Sequence, residues 1–544
     1  MTHPSAGTRP HLRDLLSRQE VERRYRSPQG PLLPVRNGTS GHRGAVGPAF
    51  SEAHVAAMVQ ALCDLRRERG AFGPRTPPPD CPAGWVVVGK DVRYASDLAE
   101  VTAVEVLAGN GIPVVVHQGG RATPTPVVSH RILAENARGG GWEGVILTAS
   151  HNPPEDAGCK TNGLDGGANT RTGPIDAAAN ALLDDPSRIR RTHRAEARRI
   201  GLVREEDLVL PYVRDLASVV DFEPIRGVPF AATPLGGSAH GYYEAVNEAH
   251  HTAIHVVLPE PDPASSLRTR DWDGRLRGDP SSPWVMQAVS GLRERVGAPL
   301  LGANDNDADR FGLEDASGVV SPNHALCVLF DYLCRHRRFR SDLGVGRTIG
   351  TTHLLDRIAE THGRPVTEVP VGFKWYVEGL EAGRYVLAGE ESAGLCVPRR
   401  DGSVWVTEKD GIAAVLLFME VVGRTGRDVG SLYRDLEARY GPHRYERVDT
   451  PATSRIRARL QALSLDPAQV ASLLSGRRVA GRAVERVRTG DGVKVVLEGG
   501  IWVLKRASGT EDVVKDYREE PGESLDTARR ASAELDAILG LESG

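Results

Sequence analysis

The sequence predicts an α/β fold with mainly parallel sheets, divided into several domains. A chain of 544 residues is too long for one hydrophobic core, which indicates more than one domain. From Trp85 onward, short apolar runs rich in β-branched residues alternate with helical patterns, as in βαβ units. A content of 40% hydrophobic and 26% charged residues is typical of a globular protein.

Composition also limits the function classes. The net charge is −3, from 68 basic and 71 acidic residues, so we expect no general attraction to nucleic acid or membranes. Six cysteines lack C-x-x-C spacing, which predicts free thiols in a reducing compartment rather than a zinc site or disulfides. Apolar stretches of membrane-spanning length and an apolar signal core are both missing, so we expect a cytoplasmic protein.

The chain begins with an arginine-rich segment. Residues 1–36 carry seven arginines and three acidic residues, and we interpret them as an N-terminal extension, mobile or docked on the surface. In the loop that follows, Gly38–Gly44, three glycines let the backbone approach an anion, and Arg43 could face it. An ordinary glycine-rich turn is the alternative. Ser51–Gly70 is predicted as an amphipathic helix.

The next segment alternates strands with helices. Strands are predicted at Trp85–Gly89, Pro113–His117 and Gly144–Leu147, and helices at Ser96–Asn110 and Pro126–Ala137. Lys90–Arg93 follows the first of these strands, where it either supports a site or is simply a polar loop. Arg188–Arg204 contains seven arginines without interleaved aromatic residues, which favours a solvated connector over a nucleic-acid surface.

A loop with catalytic character follows the strand Gly144–Leu147. Two prolines end the strand, and Ser150 is presented at its carboxyl end beside His151. Ligands bind at this edge of parallel α/β sheets. A turn whose side chains only satisfy backbone groups is the alternative interpretation.

An acidic loop follows a second series of strands, predicted at Val228–Ala232, His255–Leu258 and Pro299–Gly302. Asp305, Asp307 and Asp309 can converge on one hard cation, and Arg310 after them suits a phosphate bound to that cation. The loop does not match an EF-hand, because its sixth position is Arg310 instead of glycine and its twelfth is Ala316 instead of glutamate. Three carboxylates together with a phosphate oxygen would suit Mg²⁺. A solvated acidic turn is the alternative.

Two more loops complete the set. A third βα segment runs from Arg347–Thr351 through Pro370–Lys374 to Tyr385–Ala388 and ends in Gly389–Gly394, where carboxylates beside a hydroxyl suit either sugar hydroxyls or a helix N-terminus. A last, smaller unit has predicted strands at Gly492–Leu497 and Ile501–Leu504 and a helix at Leu525–Leu539. Between them, Lys505–Glu511 offers guanidinium, hydroxyl and amide groups for a phosphate.

A nucleophile, a metal loop, hydroxyl acceptors and an anion cradle together predict a phosphoryl-transfer site for a phosphosugar. Their sequences resemble the motifs of the α-D-phosphohexomutase superfamily, most closely those of its bacterial phosphoglucomutases. The matching motifs occur in family order along nearly the whole chain: GTSGHRG at Gly38–Gly44, TASHNPP at Thr148–Pro154, DNDADR at Asp305–Arg310, VGFKW at Val371–Trp375, GEESAG at Gly389–Gly394, EKDG at Glu408–Gly411 and RASGTED at Arg506–Asp512.

This resemblance implies four domains around a central cleft. The first three would share an α/β topology, and the fourth would be a smaller domain related to the TATA-binding-protein fold. The implied division is an extension at 1–36, domain I at 37–204 with the serine loop, domain II at 205–322 with the metal loop, domain III at 323–444 with the sugar loop, and domain IV at 445–544 with the phosphate loop.

The resemblance also implies residue roles. Ser150 would carry the phosphoryl group, and Mg²⁺ would be held by that group with Asp305, Asp307 and Asp309. The transferring group would be surrounded by Arg43, His151, Lys160 and Arg310. The substrate would be bound by Glu390 and Ser392 at the sugar hydroxyls, by Gly372, Lys374 and Lys409 near the sugar phosphate, and by Arg506, Ser508, Gly509 and Thr510 at the phosphate that does not react.

The implied activity is the interconversion of α-D-glucose 1-phosphate and D-glucose 6-phosphate through glucose 1,6-bisphosphate. Within the superfamily, a phosphomannomutase, phosphoglucosamine mutase, phosphopentomutase or glucose 1,6-bisphosphate synthase remains an alternative. A non-catalytic sugar-phosphate-binding protein should have lost Ser150 or one of the aspartates, and this chain retains all four. The partners we expect are hexose phosphates, and a homodimer through the first domain is a further expectation from the resemblance.

Overall fold

In the computed structural model, the described residues (2–38, 40–69, 84–170, 172–508 and 512–542) form four sheets that follow one another along the chain. The first sheet has the strand order β1-β5-β4-β2-β3-β6. Its strands are β1 (His42–Ala45), β2 (Val86–Lys90), β3 (Val114–His117), β4 (Glu143–Leu147), β5 (Asp156–Asn162) and β6 (Val203–Glu206). The helices around it are α1 (Arg18–Arg26), α2 (Glu52–Glu68), α3 (Tyr94–Gly109), α4 (Thr125–Asn136), α5 (Thr172–Asp184) and α6 (Arg194–Arg199). Strands β4, β2, β3 and β6 are parallel, and helices cover both faces, so the valines of β2 and β3 are fully buried.

The second sheet has the order β11-β10-β9-β7-β8. Its strands are β7 (Ala231–Thr233), β8 (His255–Val256), β9 (Leu301–Asn304), β10 (Phe311–Asp315) and β11 (Gly318–Val319). Its helices are α7 (Val209–Asp215), α8 (Tyr242–His250), α9 (Pro283–Met286) and α10 (Leu292–Arg295). Strands β7, β8 and β9 are parallel, whereas β10 folds back antiparallel on β9.

The third sheet has the order β13-β12-β14-β15, with only β15 antiparallel. Its strands are β12 (Gly344–Thr348), β13 (Val366–Val369), β14 (Tyr385–Glu390) and β15 (Gly394–Cys396). Its helices are α11 (Pro322–His336), α12 (Leu354–Thr361), α13 (Val377–Glu381), α14 (Gly411–Thr425) and α15 (Val429–Tyr440).

The fourth sheet is antiparallel throughout, with the order β16-β21-β20-β19-β18-β17. Its strands are β16 (His443–Pro451), β17 (Arg478–Val479), β18 (Arg482–Arg488), β19 (Val493–Leu497), β20 (Trp502–Ala507) and β21 (Val513–Pro521). Its helices are α16 (Ser454–Leu465), α17 (Pro467–Leu474) and α18 (Asp526–Leu539).

The apolar core is not shared evenly among the sheets. One continuous cluster contains side chains from the first three sheets, including Val87, Phe230 and Val345. The fourth sheet packs its helices around a separate cluster. A small cluster joins the two parts, in which Ile349 from the loop after β12 packs against Trp502 and other side chains of the fourth sheet.

These observations confirm the α/β class. Some of the observed strands differ from the predicted ones. The predicted mainly parallel arrangement applies to the first and third sheets, whereas the second sheet has two parallel and two antiparallel pairings and the fourth is antiparallel. Strands β16 and β21 were not predicted, because charged residues interrupt their apolar positions. The domain boundaries stay a prediction; the ones at 204/205 and 444/445 fall inside β6 and β16, and the one at 322/323 falls inside α11.

The described part of the N-terminal extension is docked on the surface. Helix α1 buries Val21 and Tyr25, and the Tyr25 hydroxyl donates a hydrogen bond to Thr102 Oγ1 at 3.0 Å. Upstream, His3 N donates to Trp272 O at 2.7 Å.

Two expectations from composition can be compared with the structure. The cysteines in the described ranges are free thiols, and Cys81 lies outside those ranges. None of the helices in the described ranges combines the length and the apolar character that a membrane-spanning segment needs.

Candidate active site

Ser150 lies in the loop between β4 and β5 and is fully buried. Its φ is +50°, in the left-handed region that non-glycine residues rarely adopt. Its Oγ donates a hydrogen bond to Asp305 Oδ2 at 2.9 Å and lies 3.5 Å from His151 Nδ1. The loop therefore aims the serine hydroxyl at the acidic loop of the second sheet.

A buried polar network holds this serine in place. Asp91 forms an ion pair with Arg93 and accepts hydrogen bonds from Ser96 Oγ at 2.6 Å and from Thr148 Oγ1 at 2.7 Å. Thr148 Oγ1 accepts the Ser150 N–H at 2.8 Å, and Arg93 donates to the Ser150 carbonyl at 2.8 Å. Of the two interpretations of Lys90–Arg93, support of the site is therefore the correct one. The network stabilises a backbone conformation that would otherwise be strained.

The three predicted aspartates converge in the loop between β9 and β10. One carboxylate oxygen from each of Asp305, Asp307 and Asp309 lies within 4.8 Å of the others, and all three side chains are buried. Asp305 Oδ1 accepts the backbone N–H groups of Asp309 and Arg310, each at 3.1 Å. Asp307 Oδ1 and Asp309 Oδ1 accept no hydrogen bond from any described residue. Buried oxygens without donors fit a hard cation, so these residues can hold Mg²⁺.

Cationic side chains partly neutralise this acidic cluster. Lys160 Nζ lies 2.6 Å from Asp307 Oδ2 and 3.5 Å from Asp309 Oδ2, and Lys409 Nζ lies 3.1 Å from Asp309 Oδ2. Burial and the neighbouring carboxylates raise the pKa of Asp305 well above its usual value. Burial also acts to raise the pKa of Asp307, but the Lys160 ammonium lowers it below the usual value. The arrangement concentrates charge of both signs beside the serine.

A cleft of about 350 Å³ opens above these loops and is lined by residues from all four sheet regions. The predicted site residues that line it are Arg43, His151, Arg310, Gly372, Lys374, Glu390, Ser392, Lys409, Arg506 and Ser508. Ser150, Lys160 and the three aspartates lie buried beneath it. Gly509 and Thr510 lie outside the described residues.

The wall nearest the serine is cationic. Arg43 donates to Ser40 Oγ at 2.7 Å, and Arg310 donates to Asp279 Oδ2 at 2.9 Å. The Arg310 Nε is buried without a hydrogen-bond acceptor among the described residues. Buried donors normally have an acceptor, so this N–H is available to bind an anion in the cleft. Burial, together with Arg310 and Arg43, lowers the pKa of His151 well below its usual value, so its imidazole is neutral at pH 7.

The loop Gly389–Gly394 of the third sheet, called the sugar loop for its predicted role, contacts the acidic loop directly. Arg310 and Gly394 form an antiparallel bridge, so the two loops share backbone hydrogen bonds. Glu390 Oε1 accepts the Gly372 N–H at 3.1 Å, and Ser392 Oγ donates to Glu390 Oε2 at 3.4 Å. Burial raises the pKa of Glu390 above its usual value. Lys409, predicted to bind the sugar phosphate, contacts Asp309 as well as the cleft.

The cleft also contains residues that the sequence analysis missed. These are mainly cations and their neighbours from the irregular segment before β9 and from β16 and β21: Arg275, Arg277, Asp279, Arg447, Lys515 and Tyr517. The irregular segment that carries Arg275, Arg277 and Asp279 follows no apolar run that would have identified it as a loop at the end of a strand. Arg447 and Lys515 face the cleft from two charged strands, and the alternation of side chains along those strands is the signal that could have identified them.

Comparison with known proteins agrees with this architecture. Residues 35–173 match the model of phosphoglucomutase/phosphomannomutase alpha/beta/alpha domain I, and residues 321–440 match that of domain III. A phosphoglucomutase of Komagataeibacter xylinus is 38% identical over 499 residues, covering 89% of this chain and 87% of the relative. A phosphoglucomutase/phosphomannomutase of Thermococcus kodakarensis is 26% identical, covering 89% and 94%. The open form of parafusin, a phosphoglucomutase from Paramecium, shares the fold at 20% identity with a TM-score of 0.73, covering 95% of this chain and 96% of that one.

The fold and these relatives define a phosphohexomutase, an isomerase that moves a phosphoryl group within a sugar phosphate. More particularly, the chain belongs to the phosphoglucomutase/phosphomannomutase family.

Proposed function

We propose that this protein interconverts α-D-glucose 1-phosphate and D-glucose 6-phosphate, with Ser150 as the phosphoryl carrier. The observation that carries the proposal is the buried Ser150 hydroxyl, 2.9 Å from Asp305 and under the floor of a cationic cleft. Phosphoryl transfer depends mainly on positioning and on stabilising charge, and the cleft supplies both.

In the forward direction, the 6-hydroxyl of glucose 1-phosphate attacks the phosphorus of phosphorylated Ser150. The bond from phosphorus to Oγ breaks, the bond to O6 forms, and glucose 1,6-bisphosphate results. His151, whose Nδ1 lies 3.5 Å from Ser150 Oγ, is proposed to accept the proton that the hydroxyl releases. The bisphosphate then turns over, and Ser150 Oγ attacks the phosphorus of its 1-phosphoryl group. The bond from that phosphorus to O1 breaks, O1 takes up the proton that the Ser150 hydroxyl releases, and glucose 6-phosphate is left.

Cationic groups meet the charge that spreads over the transferring oxygens. Arg43, Lys160 and Arg310 lie around the serine and are proposed for this role. The aspartates 305, 307 and 309 would hold Mg²⁺ together with the serine phosphate. The bound ion would supply electrostatic stabilisation of the transferring group.

The rest of the cleft is proposed to hold the sugar and its second phosphate. Glu390 and Ser392 would bind sugar hydroxyls, while Gly372, Lys374 and Lys409 would position the sugar phosphate. Arg506 and Ser508, with Gly509 and Thr510, would clamp the phosphate that does not react. The clamp and the serine belong to different sheets, as a mutase that handles both ends of one sugar requires.

We propose glucose phosphates as the substrates, and not mannose phosphates, because the K. xylinus phosphoglucomutase is more similar to this chain than the Thermococcus relative named for both sugars. A phosphomannomutase remains the second candidate, since the Thermococcus relative carries both names.

A substrate panel tests the proposal. Turnover of glucose, mannose, glucosamine and ribose 1-phosphates is compared at equal enzyme, with Mg²⁺ and catalytic glucose 1,6-bisphosphate present. We expect the highest kcat/KM with glucose 1-phosphate. A higher value with mannose 1-phosphate would make the protein a phosphomannomutase, and no turnover of any substrate would overturn the mutase assignment.

A further inference from the structure

The turn between β18 and β19 contacts two of the proposed substrate-binding segments. Asp491 Oδ1 accepts a hydrogen bond from Arg506 Nε at 2.6 Å, and Asp491 Oδ2 accepts one from the Val371 N–H at 2.7 Å. Arg506 lies in β20 of the fourth sheet, whereas Val371 follows β13 of the third. One carboxylate therefore connects the two sheets at the edge of the cleft.

The backbone around Asp491 is closely determined. Gly490 N donates to Ser464 O at 2.7 Å, and Gly492 N donates to Ser464 Oγ at 2.9 Å. Gly492 has φ +89°, and a Cβ there would come within 2.4 Å of the Lys505 carbonyl oxygen, so no larger residue fits. The turn thus presents the carboxylate in a fixed position next to β20.

Both contacts of Asp491 lead directly to groups proposed to bind substrate. A guanidinium is a planar fork, so an acceptor on Nε sets the plane in which its other N–H groups lie. On the other side, Gly372 follows Val371 in the chain and donates its own N–H to Glu390 Oε1 at 3.1 Å. The orientation of Arg506 and the position of the sugar loop are therefore set by the same side chain.

We propose that Asp491 is a positioning residue that aligns the phosphate clamp with the sugar loop, so that both ends of one sugar phosphate are bound at the correct separation. The inference rests on the proposed role of Arg506 in binding the distal phosphate. Asp491 acts through Arg506 and Val371 and makes no contact with the reacting atoms.

Other contacts hold the two sheets together without Asp491. Lys494 Nζ donates to the Ile349 carbonyl at 2.5 Å, and the Tyr445 hydroxyl donates to the Gly350 carbonyl at 3.0 Å. The small apolar cluster around Trp502 lies at the same junction. Loss of Asp491 should therefore misalign the clamp without separating the sheets.

The test is a double-mutant cycle on the full-length enzyme with glucose 1-phosphate as substrate. Asp491→Asn should raise KM about tenfold, with a smaller change in kcat and an unchanged level of phosphorylated Ser150. Because Asp491 acts in part through Arg506, the double variant Asp491→Asn/Arg506→Ala should raise KM by clearly less than the product of the two single effects. A purely structural carboxylate would give effects that multiply.

Asp356→Asn is the matched control. Asp356 lines the same pocket as Asp491 but pairs with Arg347 at 2.6 Å and not with Arg506. The KM of the Asp356→Asn variant should therefore stay at the wild-type value. Ser464→Ala loosens the turn while keeping the carboxylate, and it should raise KM by a smaller factor than Asp491→Asn. It also serves as the test if Asp491→Asn does not fold, and an unchanged KM in that variant would then overturn the inference.

The outcomes separate the two proposals. If Arg506→Ala raises KM and folded Asp491→Asn does not, the positioning role is wrong while the clamp remains. If Arg506→Ala itself leaves KM unchanged, the clamp assignment fails and the role of Asp491 fails with it. Multiplicative effects in the cycle would also overturn the positioning role.

Discussion

The two ends of the cleft are built differently. Ser150 and Asp305 have no exposed surface, and Ile146 in the strand before Ser150 and Ala308 in the acidic loop belong to the apolar cluster that the first three sheets share. Arg506, at the other end, is partly exposed and belongs to a sheet with its own core. A small apolar cluster and a few polar contacts join that sheet to the rest.

This difference corresponds to what each end must do. Phosphoryl transfer loses rate steeply when reacting groups are misplaced, so a rigid, buried setting suits the serine and the aspartates. Capture of a distal phosphate tolerates movement of the unit that binds it. The fourth sheet has its own apolar cluster and joins the rest of the described structure through a smaller one, so we expect it to be the part that moves more readily.

The largest effect should come from the buried end. Ser150→Ala should lower mutase turnover by about a thousandfold or more, because no other group would carry the phosphoryl group. The thermal unfolding midpoint should stay close to that of the wild type, and Ser187→Ala, an exposed serine away from the cleft, is the matched control. Near wild-type turnover in Ser150→Ala would refute its role as carrier.

The acidic loop should give the next largest effect. Asp309→Asn should weaken Mg²⁺ binding and kcat together, by about tenfold or more, because it removes the negative charge of a proposed ligand whose Oδ1 accepts no hydrogen bond from any described residue. Chelation of the wild-type enzyme should abolish turnover, and added Mg²⁺ should restore it. Full activity in excess chelator, with no bound metal detected, would contradict the assignment.

A change at the clamp should have a smaller and more selective effect. Arg506→Ala removes a charge-assisted hydrogen bond worth about 1.5–3 kcal/mol, so kcat/KM should fall about ten- to a hundredfold. Calorimetry should show that glucose 1-phosphate binding weakens far more than glucose binding. Equal weakening of the two ligands would mean that Arg506 has only a structural role in the fourth sheet.

Lys494, at the junction between the fourth sheet and the other three, should make the stability of the protein depend on pH. Burial, with help from Arg347, lowers the pKa of Lys494 to about 7, whereas the unfolded chain keeps this lysine protonated up to its ordinary pKa near 10.5. Unfolding therefore takes up a proton between these values, so the contribution of Lys494 to stability rises with pH in this window and is lost as pH falls through about 7.

Lys494→Met isolates this contribution. Relative to the variant, the wild type should gain up to about 1.4 kcal/mol of unfolding free energy per pH unit between pH 7 and 10. Urea denaturation of both proteins at several pH values measures the difference. Parallel pH profiles would show that Lys494 stays charged at the junction.

The loops of Ser150 and of the three aspartates could be predicted from sequence because each follows a buried strand, and because the aspartates lie two residues apart. The α/β class followed from the same alternation of strands and helices. The left-handed backbone of Ser150 and the support by Asp91 could not be predicted, because they depend on contacts between loops distant in sequence.

Contacts between sheets were the least predictable part of the site. Arg447 and Lys515 reach the cleft only because β16 and β21 pair with each other, and neither strand has a continuous apolar run. Asp491 lies in a short polar turn whose sequence is typical of any hairpin. Its contacts with Val371 and Arg506 depend on how two sheets pack, which no local pattern encodes.

The central claim is that Ser150 carries the phosphoryl group, and mass spectrometry of the intact protein tests it most directly. After incubation with glucose 1,6-bisphosphate and Mg²⁺, we expect a mass increase of one phosphoryl group, located by peptide mapping on Ser150. If the phosphoryl group is introduced with an ¹⁸O label, excess unlabelled glucose 1-phosphate should replace it on Ser150 with an unlabelled group at the rate of turnover. A phosphoryl group on another residue, or a label on Ser150 that the sugar phosphate does not displace, would contradict the account.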